Sequence, residues 1–268
     1  MRKMSLNEIQ QVSLDILVDV HKFCHSNNIR YSLAYGTLLG AIRHNGFIPW
    51  DDDVDLFMPR PDYDLFCKKY KSENGYISIS YPDSLLPFAR VCDMNKTIVD
   101  DGMTPWTKKD HGIWIDIFPI DGAEDDYNKF LKRFQRASFY RNFLFYYRNS
   151  KVSFSMFKSL SLKMKLIPKK IFFKIINPLP SILGLLTKCK YEECQHVTNL
   201  SCPDVWGSEY LKKEIFEEYV LIPFEHYEFY VMKKYHEVLS DYYGDYMQMP
   251  PIEERVARHE GYNVYWKN

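Results

Sequence analysis

From Tyr127 to Tyr191 the chain contains no aspartate or glutamate, although these 65 residues hold 15 lysines and arginines. The whole sequence balances 35 basic against 35 acidic residues, so the remainder carries all the acids and a charge of −15. A net charge of zero therefore hides a strongly polarised molecule. A membrane-spanning run is also missing. The most apolar stretch, IFFKIINPLPSILGLL from Ile171 to Leu186, is 16 residues long and is broken by Lys174, Asn177, Pro178 and Pro180; a span needs roughly 20 mostly apolar residues. There is no internal repeat and no low-complexity linker, which excludes solenoids and tethered arrays. The six cysteines, Cys24, Cys67, Cys92, Cys189, Cys194 and Cys202, follow no disulfide-framework spacing, and no signal peptide stands before them. Free thiols in a reducing cytoplasm are expected.

What is present is a folded core. Of 268 residues, 46% are hydrophobic and 16% aromatic, enough to bury one large domain or two small ones. Within the acid-free segment Lys158, Lys163, Lys165, Lys169, Lys170 and Lys174 are interleaved with Phe157, Leu160, Leu162, Met164, Leu166, Ile167, Phe172 and Phe173. This suits a surface that meets anionic headgroups, or equally a helical insertion with its lysines in water. No nucleic-acid-binding motif accompanies the positive charge, and the rest of the chain is acidic, so no nucleic acid partner is expected.

Ser5 and Glu8 have capping-box spacing, and Leu6, Ile9, Ile16, Leu17 and Val20 predict a helix that ends near His25–Asn28. RYSLAY (30–35) reads as a strand, followed by Gly36 and Thr37, the latter a candidate N-cap for a helix over LLGAIRH. DDDVDLFM (51–58) predicts a second strand closed by Pro59 and Pro61, then a helix over DYDLFCKKY. YISISY (76–81), FARVCDM (88–94) and GIWIDIF (112–118) follow as strands, helices fill the sequence to about residue 200, and EYVLIPF and EFYVM precede a helix ending at Gly244. The expected class is α+β, a mixed sheet with flanking helices and a helical basic insertion. The expected divisions are 1–126 for the catalytic core, 127–200 for the insertion and 201–268 for a segment that completes the core.

On a strand, alternate residues share a face, so Asp53 and Asp55 project together while Val54 and Leu56 point into the core. Two such carboxylates repel unless a cation lies between them, and hard oxygen ligands suit Mg²⁺ or Mn²⁺. In GIWIDIFPID, Ile113, Ile115 and Ile117 take one face, leaving Asp116 beside Trp114 and Phe118 as a third ligand, with Asp121 a minor alternative and Asp51 and Asp52 on the turn side. Free N–H groups at a helix start behind Gly36-Thr37 offer a phosphate seat, and Gly40 permits a close approach. Arg43, Arg60, Arg90 and Arg255 are candidates for phosphate oxygens. Cys189, Cys194, His196 and Cys202 supply four soft ligands, but their spacing matches no common zinc pattern.

The run AYGTLLGAIRHNGFIPWDDDVDLFMPRPDYDLF, continued by FARVCDMNKTIVDD, GIWIDIFPIDG and YGDYMQMPPIEERVARHE, closely resembles the LicD-type proteins, nucleotidyltransferase-fold phosphotransferases related to fukutin and fukutin-related protein. The family pattern falls on Gly36 and Thr37, on Asp53 and Asp55, and on Asp116. The resemblance implies transfer of phosphocholine from a CDP-choline donor to a sugar hydroxyl of a teichoic acid or lipopolysaccharide precursor, with release of CMP. It implies two metal ions on the three aspartates and places Asp116 to help deprotonate the acceptor. Arg90 and Arg255 lie within family-like runs. A choline headgroup needs aromatic faces, for which Trp50 and Trp114 are nearest the ligands, with Trp106 and Tyr35 further candidates. The protein is then expected at the inner face of the cell membrane, touching a lipid-linked glycan acceptor. Open alternatives are another CDP-alcohol such as CDP-ribitol or CDP-glycerol, a D-x-D glycosyltransferase, nucleotidyl transfer to a small molecule, and a non-catalytic binding protein that keeps the fold.

Overall fold

A computed structural model describes residues 1–81, 83–84, 86–100, 111–148, 179–202, 209–256 and 263–267. The chain runs β1 (Arg2–Lys3), α1 (Leu6–Asn27), β2 (Ser32–Leu33), α2 (Tyr35–His44), β3 (Asp55–Pro59), α3 (Arg60–Lys69), β4 (Ile77–Ile79), β5 (Ala89–Cys92) and β6 (Thr97–Asp100). It continues through β7 (Trp114–Ala123), α4 (Tyr127–Arg148), α5 (Leu179–Leu186), β8 (His196–Thr198), β9 (Leu211–Lys212), β10 (Tyr219–Phe224), β11 (Tyr227–Met232), α6 (Tyr235–Tyr243) and β12 (Asn263–Trp266). The fold is α+β and its main sheet is mixed. That sheet runs β2-β3-β7-β5-β4, with β8 and β9 attached through the far end of β7. β3 and β7 are parallel, and the other pairings in this sheet are antiparallel.

Local chemistry sets several boundaries. The Ser5 hydroxyl accepts from the Glu8 N–H while the Glu8 carboxylate accepts from the Ser5 N–H, closing the capping box of α1, and Asn28 ends that helix in a left-handed conformation. The strand β3 is shorter than the sequence predicts. It begins at Asp55, the first residue in register with β7, so Asp53 lies in the segment that leads into the strand. Val54, Leu56, Phe57 and Met58 are fully buried, as are Ile115 and Ile117 on β7. Val54, Leu56, Met58, Ile115 and Ile117 form the core beneath the sheet, while Phe57 alternates to the Asp55 face and packs on Tyr35. The helix before this strand differs as well: α2 starts at Tyr35 behind Ala34, so Thr37 is not its N-cap.

Two smaller antiparallel units flank the main sheet. β1, β12 and β6 form one, joining the two ends of the chain, and the β10–β11 hairpin forms the other. Sequence patterning misses β1, β6 and β12, which are two to four residues long. The helix α4 opens the basic segment and packs against α5, and the Arg133 guanidinium ties the two to β7 through the carbonyls of Leu185 and Gly122. Residues 196–198, within the stretch expected as the insertion, hydrogen-bond to β7 as β8. The lysine-rich run from Lys158 to Lys174 lies outside the described residues. No helix among the described residues is long and apolar enough to cross a membrane.

Candidate active site

Asp55 and Asp116 stand opposite each other in the parallel β3–β7 pair, and Arg90 stands opposite Asp116 in the antiparallel β5–β7 pair. One lateral row across three strands therefore reads Asp55, Asp116, Arg90. The alternation on β7 that buries Ile115 and Ile117 turns Asp116 to the other face, as the sequence predicts. Arg90 Nε donates to Asp116 Oδ1 at 2.7 Å, and Trp114 Nε1 donates to Asp116 Oδ2 at 3.2 Å. The Arg90 guanidinium also lies 4.1 Å from the centre of the Trp114 ring. Asp116 is thus held by a cation and an indole.

The start of α2 is fastened to Asp55 by two backbone contacts. The Ala34 N–H donates to Asp55 O at 2.9 Å, and the Asp55 N–H donates to Thr37 Oγ1 at 2.9 Å. Thr37 therefore links the helix to the strand. At Gly36 a Cβ would lie 2.6 Å from Asp51 Oδ2, so the Asp51 carboxylate rests against the first turn of α2 and would have to turn aside for a side chain there. At Gly40 a Cβ would lie 2.5 Å from the Gly46 carbonyl oxygen, so the close approach expected at this glycine is to the chain's own backbone.

These elements wall a cleft of about 760 Å³, within the usual range of small-molecule sites. Gly36, Asp53, Asp55 and Asp116 line it, together with Arg43 and Trp50. Asp51, which sequence reasoning set aside as a turn residue, lines it too. Burial and then the nearby charges of Asp53, Asp116 and Asp51 push the Asp55 carboxyl well above the ordinary carboxylate range, with Arg90 pulling the other way. Hard oxygen donors crowded by their own charge suit a divalent cation. As the side chains stand, Asp116 is turned to Arg90, and among the described residues no three carboxylate, imidazole or thiol groups are gathered to hold an ion.

The other sequence candidates divide. Arg43 lines the cleft half-buried, its Nη1 donating to the carbonyls of Tyr246 and Gln248. Arg255 donates to the Pro250 carbonyl, with its guanidinium 5.7 Å from the Trp50 ring centre, beside the cleft. Trp114 does not line the cleft; its ring packs on Arg90 and against His111. Tyr35 lines the cleft but is 5% exposed, its ring packed against Phe57, Phe118 and Tyr242. Trp106 lies outside the described residues. Arg60 is not at the cleft: with Asp121 it forms a buried pair, Nε to Oδ1 2.6 Å and Nη2 to Oδ2 2.9 Å, near the opposite end of the parallel strands. Asp121 is therefore committed to Arg60.

The four soft ligands do not gather: Cys189 and Cys194 lie together beside Gly122, and among the described residues no three of the set come together. His196 Nδ1 is 3.0 Å from Asp125 Oδ1 and its ring stacks on Tyr210, whereas Cys202 lines the cleft. Burial pushes the Cys202 thiol up to about 12. All six cysteines are free. Residues of the C-terminal segment that the pattern did not single out, Tyr243, Asp245, Tyr246 and Gln248, close the cleft's far wall.

Residues 28–159 match the family model described as LicD/FKTN/FKRP, nucleotidyltransferase domain. Across nearly the full length the chain is similar to the lipopolysaccharide cholinephosphotransferase LicD of Haemophilus influenzae, with 32% identity over 273 aligned positions covering 97% of each chain. Shorter matches are to uncharacterised proteins of Rickettsia typhi, 40% identical over 62 residues covering 23% of this chain and 20% of the relative, and of Rickettsia prowazekii, 47% identical over 47 residues covering 18% of each.

Proposed function

Since the chain belongs to the LicD family and is a phosphotransferase, we propose that its cleft moves phosphocholine from CDP-choline to a sugar hydroxyl of a cell-surface glycan precursor and releases CMP. The observation that carries this reading is the meeting of Asp55 and Asp116 with the first turn of α2 at one cleft, with Arg90 paired to Asp116 from the neighbouring strand and not itself lining the cleft. A pyrophosphate donor needs an anion seat and a means of offsetting charge side by side. The free N–H groups of the first turn of α2, which reaches the cleft at Gly36, would form the seat. Asp53 and Asp55, joined by Asp116, would hold Mg²⁺ or Mn²⁺, which when bound would neutralise the pyrophosphate and stabilise the leaving CMP.

The chain's own groups account for the remaining steps. The acceptor hydroxyl attacks the choline-side phosphorus; its proton passes to Asp116, a P–O bond forms to the sugar, and the bond to CMP breaks with the electron pair leaving on CMP. Arg90, paired with Asp116 behind the cleft lining, would turn to phosphate oxygens as that carboxylate takes the proton, and Arg43 lines the cleft itself. The basic stretch across residues 127–200 is the contact with a lipid-linked acceptor and the anionic inner face of the membrane, which puts the enzyme in the cytoplasm against that face.

Incubation with Mg²⁺, a lipopolysaccharide or teichoic acid precursor and a panel of CDP-choline, CDP-ribitol and CDP-glycerol tests this reading through CMP release. Release with CDP-choline alone supports it. Turnover of another CDP-alcohol moves the donor assignment, and a nucleoside diphosphate from a nucleotide sugar would indicate glycosyl transfer.

A further inference from the structure

Tyr35, the first residue of α2, has φ 44°, in the left-handed region. The other non-glycine residues with positive φ among those described have local reasons for it. Asn28 and Asn45 are the left-handed C-caps of α1 and α2, and Glu225 sits in the turn between β10 and β11. A bulky aromatic residue has no such reason, and it keeps this conformation only where its surroundings over-determine it.

The surroundings are a buried polar chain. The Tyr35 hydroxyl donates to Glu209 Oε1 at 2.7 Å and accepts from Asn199 Nδ2 at 2.8 Å. Asn199 Oδ1 accepts in turn from the Ser201 N–H at 3.0 Å and from the Ser201 hydroxyl. Glu209, Asn199 and Ser201 are each at most 3% exposed. Asn199 directly follows β8, which is hydrogen-bonded to β7, so the chain is anchored in the sheet that carries Asp116. At its other end Tyr35 precedes Gly36 and Thr37, and the same turn is fastened to the backbone of Asp55.

We propose that Glu209 and Asn199, acting through the Tyr35 hydroxyl, clamp the first turn of α2 in the orientation that presents its free N–H groups, at Gly36 on the cleft wall, to the donor's phosphate. Glu209 and Asn199 are positioning residues. The nature of the ligand rests on the donor reading above, but the clamp itself does not.

The test compares Tyr35→Phe, Glu209→Ala and Glu209→Gln with the wild-type protein by amide hydrogen exchange and by calorimetry with CMP and with cytidine in Mg²⁺. In Tyr35→Phe and Glu209→Ala, exchange at Leu38, whose N–H closes the first turn onto Ala34 O, rises while exchange at Ile115 and Ile117 is unchanged. CMP binding falls about tenfold in both, the scale of one lost buried hydrogen bond, and cytidine binding holds. Glu209→Gln keeps an acceptor for the Tyr35 hydroxyl and restores both readouts. Unchanged exchange at Leu38, acceleration spread equally through β7, or equal loss of CMP and cytidine would overturn the clamp. A wild-type protein that binds neither nucleotide nor nucleoside would defeat the donor reading, and the exchange result would still decide the clamp.

Discussion

Asp55 sits where three other carboxylates, Asp53, Asp116 and Asp51, all press on it, and its burial compounds their effect. Replacing it with asparagine keeps the shape and removes the charge. Turnover of Asp55→Asn should fall by about a hundredfold or more, while its melting temperature without metal should hold or rise, because a buried like-charge repulsion is gone. Near wild-type turnover would remove Asp55 from the reaction. The alternation of buried and polar residues made Asp55 and Asp116 legible in the sequence, because strand periodicity is a local property. What occupies each side chain is not local. The Trp114 face is filled by Arg90 because β5 and β7 pair in one register, and nothing near Trp114 in the chain says so. For a choline-bearing donor, Trp50, which lines the cleft with the Arg255 guanidinium 5.7 Å from its ring centre, is the tryptophan to test. Trp50→Ala should raise the Michaelis constant for CDP-choline by severalfold, the scale of about 0.5 to 2 kcal/mol per cation–π contact, and leave the inhibition constant for CMP nearly unchanged. Trp114→Ala should instead lower turnover by loosening Arg90 and Asp116. Equal losses for both ligands in Trp50→Ala would show that the ring supports the nucleotide or the fold.

At the scale of elements, the capping box of α1, the hairpin of β10 and β11, and the glycine ending α6 all follow from short-range chemistry that the sequence displays. The start of α2 does not. Its first residue is an aromatic in a left-handed conformation, held by Glu209 from a segment 174 positions away. A tyrosine before Gly-Thr reads as the end of a strand, so the sequence sets the helix start three residues late, with Thr37 as its cap. The buried layer behind α2 also predicts a pH dependence. Burial lifts the Glu209 carboxyl from 4.5 to about 8, so between those values the folded protein keeps a proton that the unfolded chain gives up. The stability contribution is complete below about pH 4.5 and is lost as the pH rises through about 8. Glu209→Gln cannot ionise, so its melting temperature should fall less than that of the wild-type protein between about pH 5 and pH 8.5. Parallel curves would show that Glu209 is ionised in the folded state.

Across the whole molecule, the acid-free segment sets +15 over 65 residues against −15 elsewhere. Attraction of that charge to an anionic surface is worth roughly 1 kcal/mol for each lysine or arginine close to it and fades with salt. The protein should sediment with anionic vesicles at low salt, release from them at high salt, and ignore neutral vesicles; equal binding to both, or to neither, contradicts a role for the segment at the membrane. The central claim concerns which bond breaks in the donor. CDP-choline carrying separate isotopic labels in its two phosphates, incubated with Mg²⁺ and the glycan acceptor, reads this out directly. The choline-side phosphorus should appear on the glycan and the nucleoside-side phosphorus in CMP, with neither transfer in Asp55→Asn. Nucleoside-side label on the acceptor, or both phosphates remaining with one product, would contradict phosphocholine transfer at this cleft.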